Sequence, residues 1–518
     1  MNIYRIIRDS AAIAAVCLIA GLTACSDFEE VNRDPNSTSK ASSSLLASYV
    51  TNRLIKWDIW ISVANDGMRS KIICDTEGAQ AAQYNRLDRC TFDEYTVVTT
   101  AEKMVENADE AFYDAYQGLA LFTRAFKMYY TTMAMGDIPY SEAFLGEKEG
   151  IIKPKYDSQK DVFRYILDDL DAANAHFAKA IADNKSCIGD VVFDGNPSNW
   201  QKVVNSFELK VLIALSKRAD DTPDLNIKSR FAEVAARPLL ESNADNMIYE
   251  SRNQPGMYPP YYRISNQSWM YLRMSSVMVD ILKKHYDYRL FYYAEPSEYY
   301  LAQGISQSDT ACYPAINPAW NNTDIETLTG ERKTCRINAR YLDDPNGGEP
   351  IARVGYAQQQ FILAEGALRG WLPGRSASEF YLKGIEAGLR FTAENTPDNE
   401  EFHHNRKIND TYITQHLAKA SLQLTGDFES DLQKIIEQKF AASFLQYKYD
   451  PFFDNRRTGY PVYPIDPATN QNELTDRMPL RWMYPTEEAT QNTENYQEAI
   501  DRQFGGVDDH NIHTWLTK

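Results

Sequence analysis

From Asp109 onward apolar residues return at helical intervals along most of the chain. Ala111, Ala115, Leu119, Phe122, Phe126, Tyr129 and Met133 follow at spacings of 4, 4, 3, 4, 3 and 4, which draws one stripe on a helix. Gly136-Asp137-Ile138-Pro139 predicts its end, a glycine stop sharpened by proline. Val162, Ile166, Leu170, Ala173, Phe177 and Ile181 repeat the scheme. Further helices are predicted over Trp200–Arg218, Ile227–Ser242, Tyr356–Gly370, Ala377–Thr392, Ile413–Leu424 and Leu432–Tyr447. Each helix must bury a stripe that it cannot bury alone, so the pattern predicts a mostly α, tetratricopeptide-like scaffold of helix pairs. Helix pairs are better supported than that repeat class, because no strict period of about 34 residues is visible.

The texture changes between Gly256 and Leu342. Ten tyrosines fall between Gly256 and Tyr300 alone, loop signals dominate, and only Met270–His285 reads as a helix. From Asp450 to the end, prolines and Asn/Thr clusters argue against long helices. The expected organisation is a single domain over 45–518, with helical scaffold at 109–242 and 350–447, an irregular insert at 256–342 and an irregular tail at 450–518. An irregular, loop-rich and aromatic-rich portion on a rigid scaffold is a usual way to build a ligand-binding surface.

The N-terminus fixes where this domain works. Arg5 and Arg8 precede an apolar and small-residue run from Ala11 to Leu22, too short to span a bilayer and typical of an export signal. Leu22-Thr23-Ala24-Cys25 then reads as a lipobox: residues 1–24 form the signal peptide and Cys25 becomes the acylated N-terminus. Palmitate-type chains on Cys25, at about 0.8 kcal/mol per buried CH2, would hold the protein to a membrane without a transmembrane helix. Residues 25–44, polar and carrying Asp27, Glu29 and Glu30, read as a tether.

The formal charge of −18 argues against nucleic acid as a partner and against electrostatic adhesion to anionic lipid. Tyr and Trp, abundant here, suit a wet recognition surface. Cys74, Cys90, Cys187, Cys312 and Cys335 remain beyond the lipobox, an odd number with no CxxC, so zinc is not expected. Cys312 with Cys335, or Cys74 with Cys90, are local disulfide candidates, and Cys187 reads as a buried free thiol.

Several stretches together resemble the SusD/RagB family of nutrient-binding outer-membrane lipoproteins, in its SusD-like branch. They are Gly136-Asp137-Ile138-Pro139-Tyr140-Ser141-Glu142-Ala143, Asn199-Trp200-Gln201-Lys202-Val203-Val204-Asn205-Ser206, Phe361-Ile362-Leu363-Ala364-Glu365 with Gly370-Trp371, Asp454-Asn455-Arg456-Arg457-Thr458-Gly459-Tyr460-Pro461, and Arg477-Met478-Pro479-Leu480-Arg481-Trp482-Met483-Tyr484-Pro485. The resemblance implies four tetratricopeptide-like units and a ligand face built by the irregular remainder. It also implies a partner, a SusC-like TonB-dependent transporter barrel over which the lipoprotein sits as a lid, facing the cell exterior. Where the family commonly has Asp-Pro-Arg, this chain has Asp287-Tyr288-Arg289, which loses a proline-set turn. Arg456 and Arg457 read as structural, pairing with carboxylates or helix-end carbonyls.

Catalytic signatures are lacking: there is no GxSxG, HExxH or Walker loop. His510 with His513, and His403 with His404, read as solvated residues, and Asp343-Asp344-Pro345-Asn346-Gly347-Gly348-Glu349 as a turn that lacks the calcium-loop ligand pattern. No cofactor or metal is expected. A binder needs exposed aromatics beside planar hydrogen-bonding groups, since sugar C–H faces stack on Trp and Tyr while hydroxyls need polar edges. The candidates are Trp320 first, then Trp269, Tyr271, Tyr299, Tyr300, Trp57, Tyr84 and Asn85. The sequence thus predicts a surface lipoprotein, not an enzyme, that captures an oligosaccharide for the transporter. Peptide or another nutrient as ligand, a lipid-anchored surface hydrolase and a structural helical-repeat adaptor are the alternatives.

Overall fold

The first apolar stripe forms a helix because nothing breaks its spacing until a glycine stops it. The computed structural model describes residues 41–56, 60–264 and 267–518, and places this helix at Tyr113–Met135, where Leu119, Phe122 and Phe126 are wholly buried. Ala111 precedes it in a short 3-10 turn and is exposed. Gly136 follows with φ 107°, and a Cβ there would meet the Gln503 side-chain oxygen at 2.4 Å. Only glycine makes this stop without displacing its neighbour. The expected signal peptide, Cys25, most of the expected tether and Trp57 lie outside the described residues.

Among the described residues, the helices of eight residues or more are, in chain order, α1 Ser43–Ile55, α2 Trp60–Arg69, α3 Tyr95–Glu106, α4 Tyr113–Met135, α5 Gln159–Ala182, α6 Pro197–Ala214, α7 Ile227–Val234, α8 Ser276–Lys284, α9 Asn322–Gly330, α10 Tyr356–Leu368, α11 Ala377–Glu394, α12 Asp410–Leu417, α13 Phe428–Ala441, α14 Asp450–Thr458 and α15 Thr493–Phe504. They pack as a chain of neighbours: α1 on α3, α3 on α4, α4 on α5, α5 on α6, α6 on α7 and α10, and α10 on α11 and α13. The fold is mostly α, a helix-on-helix stack of the tetratricopeptide-like kind. Its layers close tightly where Gly366 of α10 lies under Phe231 of α7, since a Cβ there would sit 2.3 Å from the ring. Residues 43–518 form one compact unit.

Several boundaries differ from the pattern. Ile181 is 37% exposed, so the second stripe ends at Phe177. Helix α7 stops at Val234, short of Ser242. Beyond it, Leu240 gives its N–H to the Gln359 side chain (3.0 Å) and accepts from its Nε2 (3.0 Å), so a glutamine on α10 takes the part of a strand neighbour. The expected helix at Ile413–Leu424 splits into α12 and a 3-10 turn at Ala420–Leu422. Helix α13 begins earlier than expected, at Phe428, where the Asp427 side chain accepts the Ser430 N–H, and it ends at Ala441. The tail is more helical than its prolines suggest. Pro451 stands in the first turn of α14, where proline starts a helix, so Arg456 and Arg457 lie inside its last turn. The tether boundary also moves: α1 starts at Ser43, and Ser48 Oγ binds Gly189 O at 2.7 Å.

The irregular insert holds a small antiparallel sheet. Strands β1 Ile73–Asp75, β3 Leu272–Met274, β5 Arg336–Ile337 and β4 Ala294–Glu295 lie in the order β1-β3-β5-β4, while β2 Met247–Tyr249 pairs with β6 Ile351–Val354 elsewhere. Leu272 to Met274 pair as β3, and Ser275 caps α8 by accepting the Val277 N–H, so the helix expected from Met270 starts only at Ser276.

Buried ion pairs carry the family-like motifs. Arg457 grips Glu365 with both terminal nitrogens, Nη2 at 2.8 Å, and meets Asp454 at 3.0 Å, which also takes Lys439 at 2.7 Å. Arg456 donates to Leu480 O at 2.7 Å. Both arginines therefore join α14 to α10 and to the tail. In the tail, Arg481 reaches Met135 O (2.9 Å) and Asp508 (2.6 Å).

At Asp287-Tyr288-Arg289 the turn survives without proline, with Leu290 N–H on Asp287 O at 3.1 Å. Asp287 and Arg289 form a fully buried pair at 2.6 Å, and Arg289 reaches Gln438 on α13 at 2.8 Å. Tyr288 uses what a proline lacks. Its N–H donates to Tyr412 Oη at 2.7 Å, and its ring stacks on Tyr412 at 3.7 Å and 12°.

All five described cysteines are unpaired, so neither local disulfide forms. Cys312 donates instead to Ile305 O at 3.4 Å, Cys187 to Ala115 O at 3.2 Å. His403 and His404, expected in solvent, are buried: the short helix Glu400–His403 turns them inward, and His404 bridges Phe291 O (2.8 Å) and Glu295 (3.3 Å).

Candidate functional site

The short strands of the insert bring residues from distant stretches to one cleft of about 510 Å³. It is lined by Tyr271, Arg273, Glu295 and Arg336 from the sheet and its approaches. Glu326 and Thr329 of α9 line it too, as do Arg263 and Asp343. Asn321 fixes the start of α9 by accepting the Asp324 N–H at 3.0 Å. Only Ile325 of this helix is fully buried, which is why no apolar stripe announces it.

The polar groups of the cleft divide into paired and unpaired. Arg263 meets Asp343 at 3.0 Å. Glu295 accepts the Ala339 N–H (2.8 Å) and faces His404. Asn322 donates to Glu326. Arg336 lies 3.5 Å from Glu298. Arg273 has no carboxylate partner among the described residues. Its Nη1 donates to two carbonyls, Met270 O (2.8 Å) and Leu272 O (3.0 Å), and burial together with the neighbouring Arg336 pushes it down to about 10. Glu295 moves the other way from a general acid: burial would raise it, but hydrogen bonding and charge from His404 hold it below the usual carboxylate range. Hydrolysis of a glycoside needs one carboxyl raised so that it carries a proton.

The aromatic candidates separate by burial. Tyr271, Tyr299 and Trp320 keep 42%, 39% and 39% of their surface exposed, and Met270 beside Tyr271 is exposed too. Tyr271 lines the cleft itself. Tyr299 stands next to Glu298, the partner of Arg336, with its ring 5.2 Å from the half-buried Tyr300. Trp320 immediately precedes the Asn321 cap of α9. Three other candidates are corrected. Trp269 is wholly buried, edge-on to Tyr261 at 6.1 Å, and forms core rather than a stacking face. Tyr84 is buried with its hydroxyl on Trp320 O at 2.9 Å. Asn85 is buried between Lys71 Nζ (2.6 Å) and Asn470 (3.2 Å). Tyr84 braces the loop under Trp320, and Asn85 ties Lys71 to Asn470.

Sequence reading passed over Arg263, Arg336 and Glu326, each in a stretch too short for periodicity to single out. The acidic Asp343–Glu349 stretch is a turn whose carboxylates have other partners: Asp344 accepts the Asn346 N–H (2.8 Å) and Glu349 pairs with buried Arg340 (2.7 Å). His510 sits against Arg481 O at 3.1 Å and His513 against Thr517 at 3.2 Å.

Lys71 beneath this region is buried, its ammonium bound to Asn85 Oδ1 and to Gln83 O, and burial pushes it down to about 7. The folded state therefore holds its proton less tightly than the unfolded chain. The penalty is full below pH 7 and fades as pH rises toward the unfolded value of about 10.4. Wild type is expected to gain stability relative to Lys71→Met across that window, by up to about 1.4 kcal/mol per pH unit. Urea unfolding of both proteins at stepped pH checks the sign; parallel curves would refute it.

The model of the SusD-like family described as "Starch-binding associating with outer membrane" matches residues 35–485. No curated protein matches the chain. Among solved structures, a SusD homolog from Bacteroides fragilis is 41% identical, covers 92% of this chain and 100% of its own, and superposes with a TM-score of 0.88. A Bacteroides vulgatus protein described as an outer membrane protein involved in nutrient binding is 27% identical over 92% of this chain and 100% of its own, with a TM-score of 0.82. A chitin-binding SusD homolog from Flavobacterium johnsoniae shares 21% identity over 92% of this chain and 98% of its own at a TM-score of 0.68, a likeness of fold alone. With its family motifs serving as the ion pairs that join α14, α10 and the tail, the chain belongs to the SusD-like family.

Proposed function

We propose that this protein is an outer-membrane, surface-facing lipoprotein, anchored through Cys25, that captures an oligosaccharide in the cleft beside Tyr271 and hands it to a SusC-like TonB-dependent transporter. The observation that carries the reading is the cleft itself. It is open, about 510 Å³ in volume, and presents an exposed tyrosine face beside guanidinium and carboxylate edges. A sugar ring needs that combination, a stacking face for its C–H groups and planar hydrogen-bonding groups for its hydroxyls. The family's starch-binding description favours saccharide over peptide. Binding is favoured over hydrolysis because Glu295 is held ionised and its neighbours are committed to pairs.

A glycan and peptide array probed with the purified protein tests the ligand class. Saturable binding to one family of oligosaccharides, with peptides blank, is expected. Peptide binding with glycans blank would replace the ligand while keeping the architecture.

A further inference from the structure

Among the described residues no carboxylate pairs directly with Arg273 of this cleft, where Asp75 and Glu298 act on it only at longer range, and its place in the sheet makes this costly. Register sets Arg273 of β3 directly opposite Arg336 of β5, and like charges opposite one another destabilise a strand pair. Both side chains line the same cleft. The cleft's carboxylates do not relieve the conflict at Arg273: Asp343 serves Arg263, Glu295 serves His404 and the Ala339 amide, Glu326 accepts from Asn322, and Glu298 stands by Arg336 and Arg332. Arg273 spends Nη1 on carbonyls, which leaves Nε and Nη2 of its planar fork without a hydrogen bond among the described residues. A fork of that shape matches a carboxylate or sulfate in two-point contact.

We propose that the oligosaccharide captured in this cleft is acidic, and that its carboxylate or sulfate seats between Arg273 and Arg336 while a neighbouring ring stacks on Tyr271. The inference rests on the reading of the cleft as a saccharide site. The anion would neutralise the unpaired guanidinium in a partly buried setting, where charge-assisted hydrogen bonds are stronger than neutral ones. The strong net negative charge elsewhere on the chain makes such a local positive point selective, because acidic saccharides gain nothing from the rest of the surface.

The test is titration calorimetry with matched pairs: oligogalacturonate against its methyl ester, and a sulfated galactan oligosaccharide against its desulfated form. The acidic member of one pair is expected to bind at least about tenfold more tightly, and the winning pair tells carboxylate from sulfate. Arg273→Gln should erase that preference, Arg336→Gln, at a half-exposed position, should reduce it, and Tyr271→Ala should weaken both members equally. Equal or tighter binding of the neutral members, or an unchanged preference in both arginine variants, would overturn the acidic-ligand inference and leave the saccharide reading standing. Saccharide binding that is indifferent to Tyr271→Ala and to both arginine variants would overturn the cleft assignment itself, and with it the inference. Capture of acidic peptides by the same arginines would overturn both. Arg273→Lys, which keeps charge without the fork, provides a folded comparison if the glutamine variant is unstable.

Discussion

Glutamine at Glu365 is expected to cost about 3 kcal/mol of folding stability, the low end of what breaking a buried ion pair costs. Glu365 sits on α10 with no exposure, takes both terminal nitrogens of Arg457 from α14, and accepts Arg369 Nε at 2.8 Å. Removing its charge leaves the Arg457 guanidinium buried with Asp454 as its one carboxylate among the described residues, beside the Ser216 hydroxyl at 3.1 Å, and Asp454 is already shared with Lys439. That remaining partner keeps the loss at the low end. Urea unfolding followed by far-UV circular dichroism measures it. The double variant Glu365→Gln, Arg457→Met should recover part of the loss, because most of the penalty belongs to the stranded charge. A loss under about 1 kcal/mol in the single variant would mean that Arg457 does not fasten α14 to the scaffold, and that its role must be sought at a surface.

Alanine at Tyr271 is expected to weaken saccharide binding at least about tenfold, a change of roughly 1.4 kcal/mol, with melting unchanged. Stacking supplies an effect of this size, about 0.5–1.5 kcal/mol beyond area burial. Melting should hold because Tyr271 lies at the surface and its backbone carbonyl, not its ring, accepts from Thr76 at 2.8 Å. Trp320→Ala should have a smaller effect, since Trp320 flanks the cleft at the start of α9 without lining it. Calorimetry on the three proteins orders them. If Trp320→Ala abolishes binding while Tyr271→Ala does nothing, the site lies over the loop braced by Tyr84 rather than in the cleft.

The scaffold was readable because its helices bury stripes. Val162, Ile166, Leu170, Ala173 and Phe177 recur at the helical period and are all wholly buried. Where a helix is held by caps and charges, periodicity is silent. Helix α9 buries a single isoleucine, and α14 opens with a proline that resembles a breaker until its position is known. The structural role of Arg457 could be anticipated from its position near a helix end, but the choice of Glu365 as partner depends on packing between elements 92 residues apart.

The site was less legible. Tyrosine and tryptophan look alike in sequence whether they face water or core, and Trp269 and Tyr271, two residues apart, fall on opposite sides of that line. Burial of Trp269 follows from its packing on Tyr261, which in turn packs on Tyr341, contacts that join three separate stretches. The Arg273 and Arg336 pair depends on strand register across 63 positions of chain, which no local pattern encodes. Tyr288 shows the converse. A departure from the family's usual proline becomes intelligible once its amide and ring are both seen on Tyr412.

The central claim is capture without bond breaking, and one experiment meets it directly. The protein is titrated with the oligosaccharide selected on the array, and the ligand is recovered after prolonged incubation and sized by chromatography. The account predicts a saturable isotherm, lost on Tyr271→Ala, with every recovered chain at its original length. Shortened chains whose formation stops on Glu295→Gln or Glu326→Gln would contradict it and make the cleft a hydrolase site.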